Sequence, residues 1–167
     1  MLLRHAKAVQ HSRGDDFARD LQDKGASDAR RLGDHLAERA LVPDFALVSS
    51  SQRTRQTFDI VQAALERSIP ARFEDSLYNA TAAELRGMLR TIEVEIETLM
   101  VVGHNPGIAD VAVMLARDGD PAEIARMRNR FAPCGLAVIG FDAESWAQAA
   151  ASGGRLDLFL LPDDLKA

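Results

Sequence analysis

The sequence is short of several features that define classes of protein. Cys134 is the only cysteine among 167 residues, which excludes an internal disulfide framework and is typical of a reducing compartment. No apolar run is long enough to span a membrane. Arg4, His5 and Lys7 interrupt the first apolar residues before they reach the length of a signal peptide. We therefore expect a cytoplasmic protein with no membrane association.

The chain also lacks a basic charge balance. Its 20 Lys and Arg residues are outnumbered by 25 Asp and Glu residues, which gives a formal net charge of -5. Proteins that chiefly bind nucleic acid usually carry a basic surface that displaces counterions from phosphates, so we expect no nucleic-acid partner. The length fits one domain, and a hydrophobic share of 47% is ordinary for a globular fold.

Three short apolar runs end in polar side chains that carry reactive or charged groups. The runs are Leu2-Leu3 before Arg4 and His5, 46–48 before Ser49 and Arg53, and 99–102 before Gly103, His104 and Asn105. Runs without polar alternation are typical of strands covered on both faces. Neighbouring parallel strands bring their carboxyl ends to one edge of a sheet, where open α/β sheets bind ligands. The sequence therefore predicts one crevice for these two histidines and two arginines.

The remainder of the chain alternates between helical and strand patterns. Apolar spacing predicts helices over 27–40, 82–92, 108–116, 122–127 and 143–151, and a helix that has Arg53 in its first turn. It also predicts an edge strand or loop over 69–73 and strands over 136–141 and 156–161. Ser27 is the expected N-cap of the first helix. This order favours an α/β fold, a three-layer αβα sandwich with a mostly parallel central sheet. Little helix separates the last two strands, so one antiparallel pairing at an edge is compatible with the pattern.

The polar segment 10–19 follows the first strand and is expected to form a loop beside the crevice. Within it, His11 is interpreted as a solvated side chain and not as a ligand. Lys7 is also expected to be solvated.

Two histidines and two arginines at strand ends suit chemistry on a phosphoryl group. An arginine keeps its charge and presents a rigid fork of donors that matches phosphate oxygens. A histidine nitrogen can attack phosphorus and form a covalent intermediate, and a second histidine, when protonated, can contact the equatorial oxygens. Each residue also has a simpler interpretation: His5 as a hydrogen-bonded histidine at a strand end, His104 as a support of its turn, and Arg4 and Arg53 as surface ion-pair partners.

The same residues carry a resemblance to a known family. Leu3-Arg4-His5-Ala6 resembles the Arg-His-Gly signature of the histidine phosphatase superfamily, which has the phosphoglycerate-mutase-like fold, with Ala6 in the glycine position. Arg53, Gln56 and Thr57 match its Arg-x-x-Gln-Thr motif, and 103–105 match its third block, which carries the second histidine. The short length, 102–107 and the ending 158–162 are most similar to the SixA-type branch of phosphohistidine phosphatases.

The resemblance implies a single histidine-phosphatase-like domain over 1–167 that needs neither a cofactor nor a metal ion. It implies hydrolysis of a phosphoryl group through a covalent phosphohistidine intermediate on the enzyme. The substrate that it favours is phosphohistidine in a protein. The implied roles are His5 as nucleophile, Arg4 and Arg53 as holders of the phosphoryl oxygens, and His104 as the residue that completes the pocket. Asn105 and Ser49 are further substrate-binding candidates, and Gln56 is a candidate of the same rank. All three have the shaping of turns or the capping of a helix as an alternative role.

Two other functions stay open at this point: a phosphatase for small phosphomonoesters, and a phosphate-binding or interaction module without catalysis. Many relatives protonate the leaving group with an acidic residue. Between the second and third motifs the acidic candidates are Glu74, Asp75 and Glu84, and each of them is expected to be a surface carboxylate. An imidazole is a better leaving group than an alkoxide and gains less from a general acid. A weakly equipped site therefore favours a phosphoramidate substrate.

Overall fold

A computed structural model describes residues 1–10 and 15–165, so the prediction for His11 lies outside the described residues. Within these residues one sheet has the strand order β3-β2-β4-β1-β6-β7-β5. The strands are β1 (Leu2–Arg4), β2 (Phe45–Ser49), β3 (Ala71–Glu74), β4 (Leu99–Gly103), β5 (Ala116–Gly119), β6 (Leu136–Gly140) and β7 (Gly154–Leu160). The helices are α1 (Asp23–Glu38), α2 (Gln52–Ala64), α3 (Ala82–Leu89), α4 (Gly107–Leu115), α5 (Pro121–Asn129) and α6 (Trp146–Ser152).

Successive side chains of the central strands point to opposite faces of the sheet, and each face is covered by helices. On one face Leu3, Val48 and Val102 share a core with residues of α1 and α2, among them Leu32 and Phe58. On the other face Leu2, Leu47 and Val101 share a core with residues of α3, α4, α5 and α6, among them Leu85, Ile108, Met127 and Ala150. The predicted three-layer α/β sandwich is therefore confirmed.

The pairing of the strands is mostly parallel, as predicted, but the antiparallel strand lies elsewhere. β4 pairs in parallel with β1 and β2, and β2 pairs in parallel with the edge strand β3. β6 runs antiparallel to both β1 and β7. The antiparallel pairing expected of the last two strands, β6 and β7, is confirmed, but its expected place at an edge is wrong, because β5 forms that edge and pairs in parallel with β7. β5 escaped prediction because its Arg117 and Asp118 are exposed and give no apolar pattern.

Helix α1 begins earlier than its apolar spacing indicated. Gln22 is its N-cap and Ser27 lies inside the helix, so the prediction of Ser27 as N-cap is wrong. The Gln22 N–H donates to the Lys7 carbonyl at 2.9 Å, which ties the start of the helix to the segment after β1. Gly25 permits this close approach, since a Cβ atom there would lie 2.1 Å from the Lys7 carbonyl oxygen. Across the described residues, the helices are too short or too polar to cross a bilayer.

Candidate active site

The two histidines follow paired positions of adjacent parallel strands. β1 and β4 align Arg4 with Gly103, and the His5 N–H donates to the Gly103 carbonyl at 3.0 Å. The residue after each of these strands is a histidine. The ring centroids of His5 and His104 are consequently 5.2 Å apart, and the two residues are only 9% and 6% exposed. The structure thus brings together the two histidines that the sequence placed at separate strand ends.

The hydrogen bond of His5 defines its tautomer. Its Nδ1 atom lies 2.8 Å from the Ala6 carbonyl oxygen, which can only accept, so Nδ1 carries the proton. Burial lowers the pKa of His5 to about 4; the hydrogen bond to Ala6 opposes this shift, and the charges of Arg53 and Arg4 add to it. At neutral pH the ring is therefore uncharged, and its lone pair is on Nε2.

His104 has the opposite tautomer. Its Nδ1 lies 3.3 Å from Arg53 Nη2, and because a guanidinium only donates, Nδ1 accepts. The ring proton is then on Nε2, which donates to Ser49 Oγ at 2.9 Å. Burial and the neighbouring His5 lower the pKa of His104 to about 3. In this state His104 is neutral and both of its ring nitrogens are engaged.

Arg53 reaches the crevice from the first turn of α2, directly after its N-cap Ser51. The side chain is almost fully buried, so its charge lies beside the histidines and not in solvent. Thr57, one turn further along α2, joins this helix to the end of β1. Its Oγ1 accepts from the Ala6 N–H at 2.9 Å and donates to the Arg53 carbonyl at 2.6 Å. Thr57 matched a motif in the sequence, but only the structure shows what it contacts.

Arg4 and Asn105 are held by a shared acceptor. Arg4 Nη1 donates to the Phe131 carbonyl at 2.8 Å, and Asn105 Nδ2 donates to the same oxygen at 2.9 Å. Arg4 is half-buried at the end of β1, and Asn105 follows His104. The structure therefore places both residues at the crevice, with one guanidinium nitrogen of Arg4 already engaged by the backbone.

The weaker candidates have structural contacts. Ser49 is fully buried, and its Oγ accepts the hydrogen bond from His104 Nε2. Gln56 accepts from the Leu21 N–H at 2.8 Å and donates to Asp20 at 2.8 Å, so it anchors the segment before α1. Lys7 is exposed, as expected. Ser49 therefore contacts His104, and Gln56 contacts the segment before α1.

The acidic side chain in the crevice is Asp16, which sequence reasoning did not single out. It lies on a short 3₁₀ turn, Asp16–Ala18, in the loop predicted to border the crevice. Asp16 Oδ2 accepts from Arg53 Nη2 at 3.0 Å and from the Tyr78 hydroxyl, and its Oδ1 accepts from Arg19 Nη1 at 2.7 Å. The Tyr78 and Arg19 hydrogen bonds hold the pKa of Asp16 far below its usual range. Its position after β1 was the one signal available in the sequence.

The three carboxylates proposed from the sequence have other surroundings. Glu74 pairs with Arg72 on the edge strand at 2.6 Å, and Asp75 begins the 3₁₀ turn Asp75–Leu77. Glu84 caps α3, where it accepts from the Thr81 N–H at 2.8 Å. The structure thus gives Glu74 and Glu84 structural partners away from the histidines.

Aromatic side chains line one side of the crevice. The Tyr78 ring stands edge-on to His104 with centroids 5.2 Å apart, and Phe17 stands edge-on to Tyr78 at 5.1 Å. The Arg53 guanidinium carbon lies 5.6 Å from the Tyr78 ring centroid. Among residues 1–10 and 15–165, no cluster of three His, Cys, Asp or Glu side chains has the arrangement of a metal site.

Comparisons with known proteins agree with this geometry. Residues 1–100 match the family model of the histidine phosphatase superfamily (branch 1). An uncharacterized protein of Mycobacterium tuberculosis is 30% identical over 162 residues, which cover 96% of this chain and 99% of that protein. Two solved structures proposed to be the phosphohistidine phosphatase SixA are each 30% identical to this chain. The structure from Agrobacterium tumefaciens has a TM-score of 0.80, and the match covers 96% of this chain and 95% of that one. The structure from Nakamurella multipartitia has a TM-score of 0.81, and the match covers 96% of this chain and 94% of that one.

The chain therefore belongs to the histidine phosphatase superfamily and is a phosphoric hydrolase. Within that superfamily it falls in the SixA-type branch, which has the phosphoglycerate-mutase-like fold.

Proposed function

We propose that this protein is a phosphohistidine phosphatase that works through a covalent phosphoryl intermediate on His5. The observation that carries the proposal is the state of His5. Its proton is held on Nδ1 by the Ala6 carbonyl, and its neutral ring leaves the Nε2 lone pair free to attack. The SixA-type relatives, which are described as phosphohistidine phosphatases, support the choice of substrate.

The first chemical step transfers the phosphoryl group to the enzyme. The Nε2 lone pair of His5 forms an N–P bond while the bond from phosphorus to the substrate nitrogen breaks, and the leaving imidazole takes a proton from solvent. In the second step water attacks phosphorus and returns a proton to solvent, the N–P bond to His5 breaks with its electron pair going back to Nε2, and inorganic phosphate leaves. His5 returns to its starting tautomer, because the Ala6 carbonyl has kept the Nδ1 proton throughout.

Arg4 and Arg53 hold the phosphoryl oxygens in this proposal. Both are permanently charged, and Arg53 is nearly fully buried, where its interaction with an anion is stronger than in water. His104 lies beside them, and its neutral Nδ1 accepts from Arg53 and so completes the pocket by holding that guanidinium in place. The two arginines neutralise charge on the group in transfer without the help of a metal ion.

The carboxylate in the crevice supports this choice of substrate. Asp16 is ionised and already accepts from Arg53, Arg19 and Tyr78, so it holds no proton to donate. A phosphomonoester releases a strongly basic alkoxide and depends on such a donor, whereas an imidazole leaving group depends on it less. The site therefore favours phosphohistidine over small phosphomonoesters.

The test uses a phosphohistidine-containing protein labelled with ³²P as substrate. His5→Ala should abolish both phosphate release and the labelling of the enzyme during rapid-quench turnover. His35→Ala, which alters a histidine in the last turn of α1, is the matched control and should keep both. Retention of most activity by the His5 variant would make the nucleophile assignment wrong.

The same assay separates the substrate classes. The value of kcat/KM should be higher for the phosphohistidine protein than for any of a panel of small phosphomonoesters, and EDTA should leave it unchanged. A small phosphomonoester with the higher kcat/KM would contradict the choice of substrate while leaving the nucleophile intact.

A further inference from the structure

The guanidinium of Arg53 is largely engaged within the protein. It has five N–H donors, of which Nη1 uses one on the Asp16 carbonyl at 2.6 Å. Nη2 uses both of its donors, one on the Asp16 carboxylate at 3.0 Å and one on His104 Nδ1 at 3.3 Å. Nε is buried and has no partner among the described residues. Besides this buried Nε donor, one Nη1 donor is therefore left without a partner among these residues.

Tight binding of a phosphoryl group by Arg53 needs more than one free Nη donor. Arginine binds phosphate best through two parallel N–H bonds from its fork, and a single remaining Nη donor cannot supply them. One of the present acceptors must therefore give way when a phosphoryl group reaches Arg53.

Of the two acceptors on Nη2, the Asp16 carboxylate exchanges at the lower cost. His104 is buried and would leave Nδ1 without a partner, which is unfavourable in a site closed to water. The Asp16 side chain is 43% exposed and keeps two other donors, Arg19 and Tyr78, when it releases Arg53. Its place on a short 3₁₀ turn, and not in the sheet or a long helix, leaves it room to shift.

We propose that the Asp16 carboxylate is an internal ligand of the phosphoryl site, which occupies Arg53 in the free enzyme and is exchanged for the phosphoryl group of the substrate. This inference rests on the proposed function, since it requires Arg53 to hold that group. Asp16 is then a residue that sets anion affinity without touching the reacting atoms. Its carboxylate returns to Arg53 after hydrolysis and promotes release of inorganic phosphate.

The test measures the binding of inorganic phosphate directly, by isothermal titration calorimetry of the whole chain. Asp16→Asn removes the competing charge, so its Kd for phosphate should fall about fivefold, as estimated for one partly exposed charged hydrogen bond. Asp20→Asn is the matched control, because Asp20 is a nearby exposed carboxylate that accepts from Gln52 and Gln56 and not from Arg53. It removes the same charge and should change the Kd less than about twofold, since exposed charges are screened.

A second variant and a kinetic measurement show whether the change in Kd reflects the loss of the carboxylate and not an altered fold. Asp16→Ser shortens the side chain and should tighten phosphate binding in the same direction, and thermal unfolding verifies that each variant is folded. Product inhibition should follow the calorimetry, with a lower inhibition constant for phosphate in both Asp16 variants and not in Asp20→Asn.

The outcomes separate the two proposals. If the wild type binds phosphate and Asp16→Asn binds it no more tightly than Asp20→Asn, the exchange is wrong and the phosphatase proposal stands. If Asp16→Asn binds phosphate more weakly, Asp16 positions Arg53 and does not compete at it. If neither the wild type nor the variants bind phosphate, both the phosphoryl site and the exchange are wrong.

Discussion

Thr57 is the side chain whose removal tests how the site is assembled. Its hydroxyl joins two parts of the crevice, because it accepts from the Ala6 N–H and donates to the Arg53 carbonyl. Thr57→Val keeps the shape of the side chain and deletes both hydrogen bonds. The Arg53 carbonyl still has its helical partner, so the single group left unsatisfied is the Ala6 N–H, in a position with no exposure to water.

The expected loss follows from that one group. A buried donor left without a partner costs about 1–3 kcal/mol of the free energy of unfolding. For a chain of this size each kcal/mol lowers the melting temperature by about 2–4 °C, so a fall of roughly 2–12 °C is expected. The freed peptide adjoins His5, and a small displacement of that ring should lower kcat/KM about tenfold.

Urea unfolding and turnover of a phosphohistidine protein measure the two effects. Thr57→Ser retains the hydroxyl and loses one methyl group, so it should lose about 1 kcal/mol of stability and keep kcat/KM within about twofold. Thr91→Val removes an exposed hydroxyl that donates to the Met88 carbonyl, and should change stability by less than about 0.5 kcal/mol. Equal unfolding midpoints for the wild type and Thr57→Val would refute the reasoning, as would an equal loss of activity in Thr57→Ser.

Two further predictions concern a close contact and acid stability. Gly25→Ala should destabilise the protein by about 1–3 kcal/mol, because its Cβ would lie 2.1 Å from the Lys7 carbonyl oxygen. Gly87→Ala, with nothing within 4 Å of its Cβ, should stabilise α3 by about 0.5–1 kcal/mol, and opposite shifts in melting temperature would verify both. The pKa of His5 falls from 6.5 to about 4 on folding, so the unfolded chain binds more protons between these values and stability should decline as the pH falls through that window. His5→Gln removes this contribution, and a slope of unfolding free energy against pH as steep as that of the wild type would contradict the assignment.

The sequence was a good guide to elements with a strong apolar pattern and a weaker guide to their surroundings. The buried strands β1, β2 and β4 and the placement of His5 and His104 at their ends were predictable from short apolar runs. The edge strand β5 was missed because exposed Arg117 and Asp118 give no periodic signal. The start of α1 was misplaced because the Lys7 carbonyl, and not an N-cap side chain, holds its first turn.

The amino-acid sequence by itself determined which chemical groups reach the crevice, because hydrophobic periodicity sets strand ends and strand ends set the positions of the side chains that follow. The tertiary structure decided the protonation and the partners of those groups. The tautomers of His5 and His104 depend on the acceptors and donors that meet them, and the latter meets Arg53, which is 51 residues away in the chain. The role of Asp16 depends on Arg53, 37 residues away, and on Tyr78, 62 residues away. Contacts over such separations leave no local pattern in a sequence, since they arise only when the folded sheet brings its strand ends together.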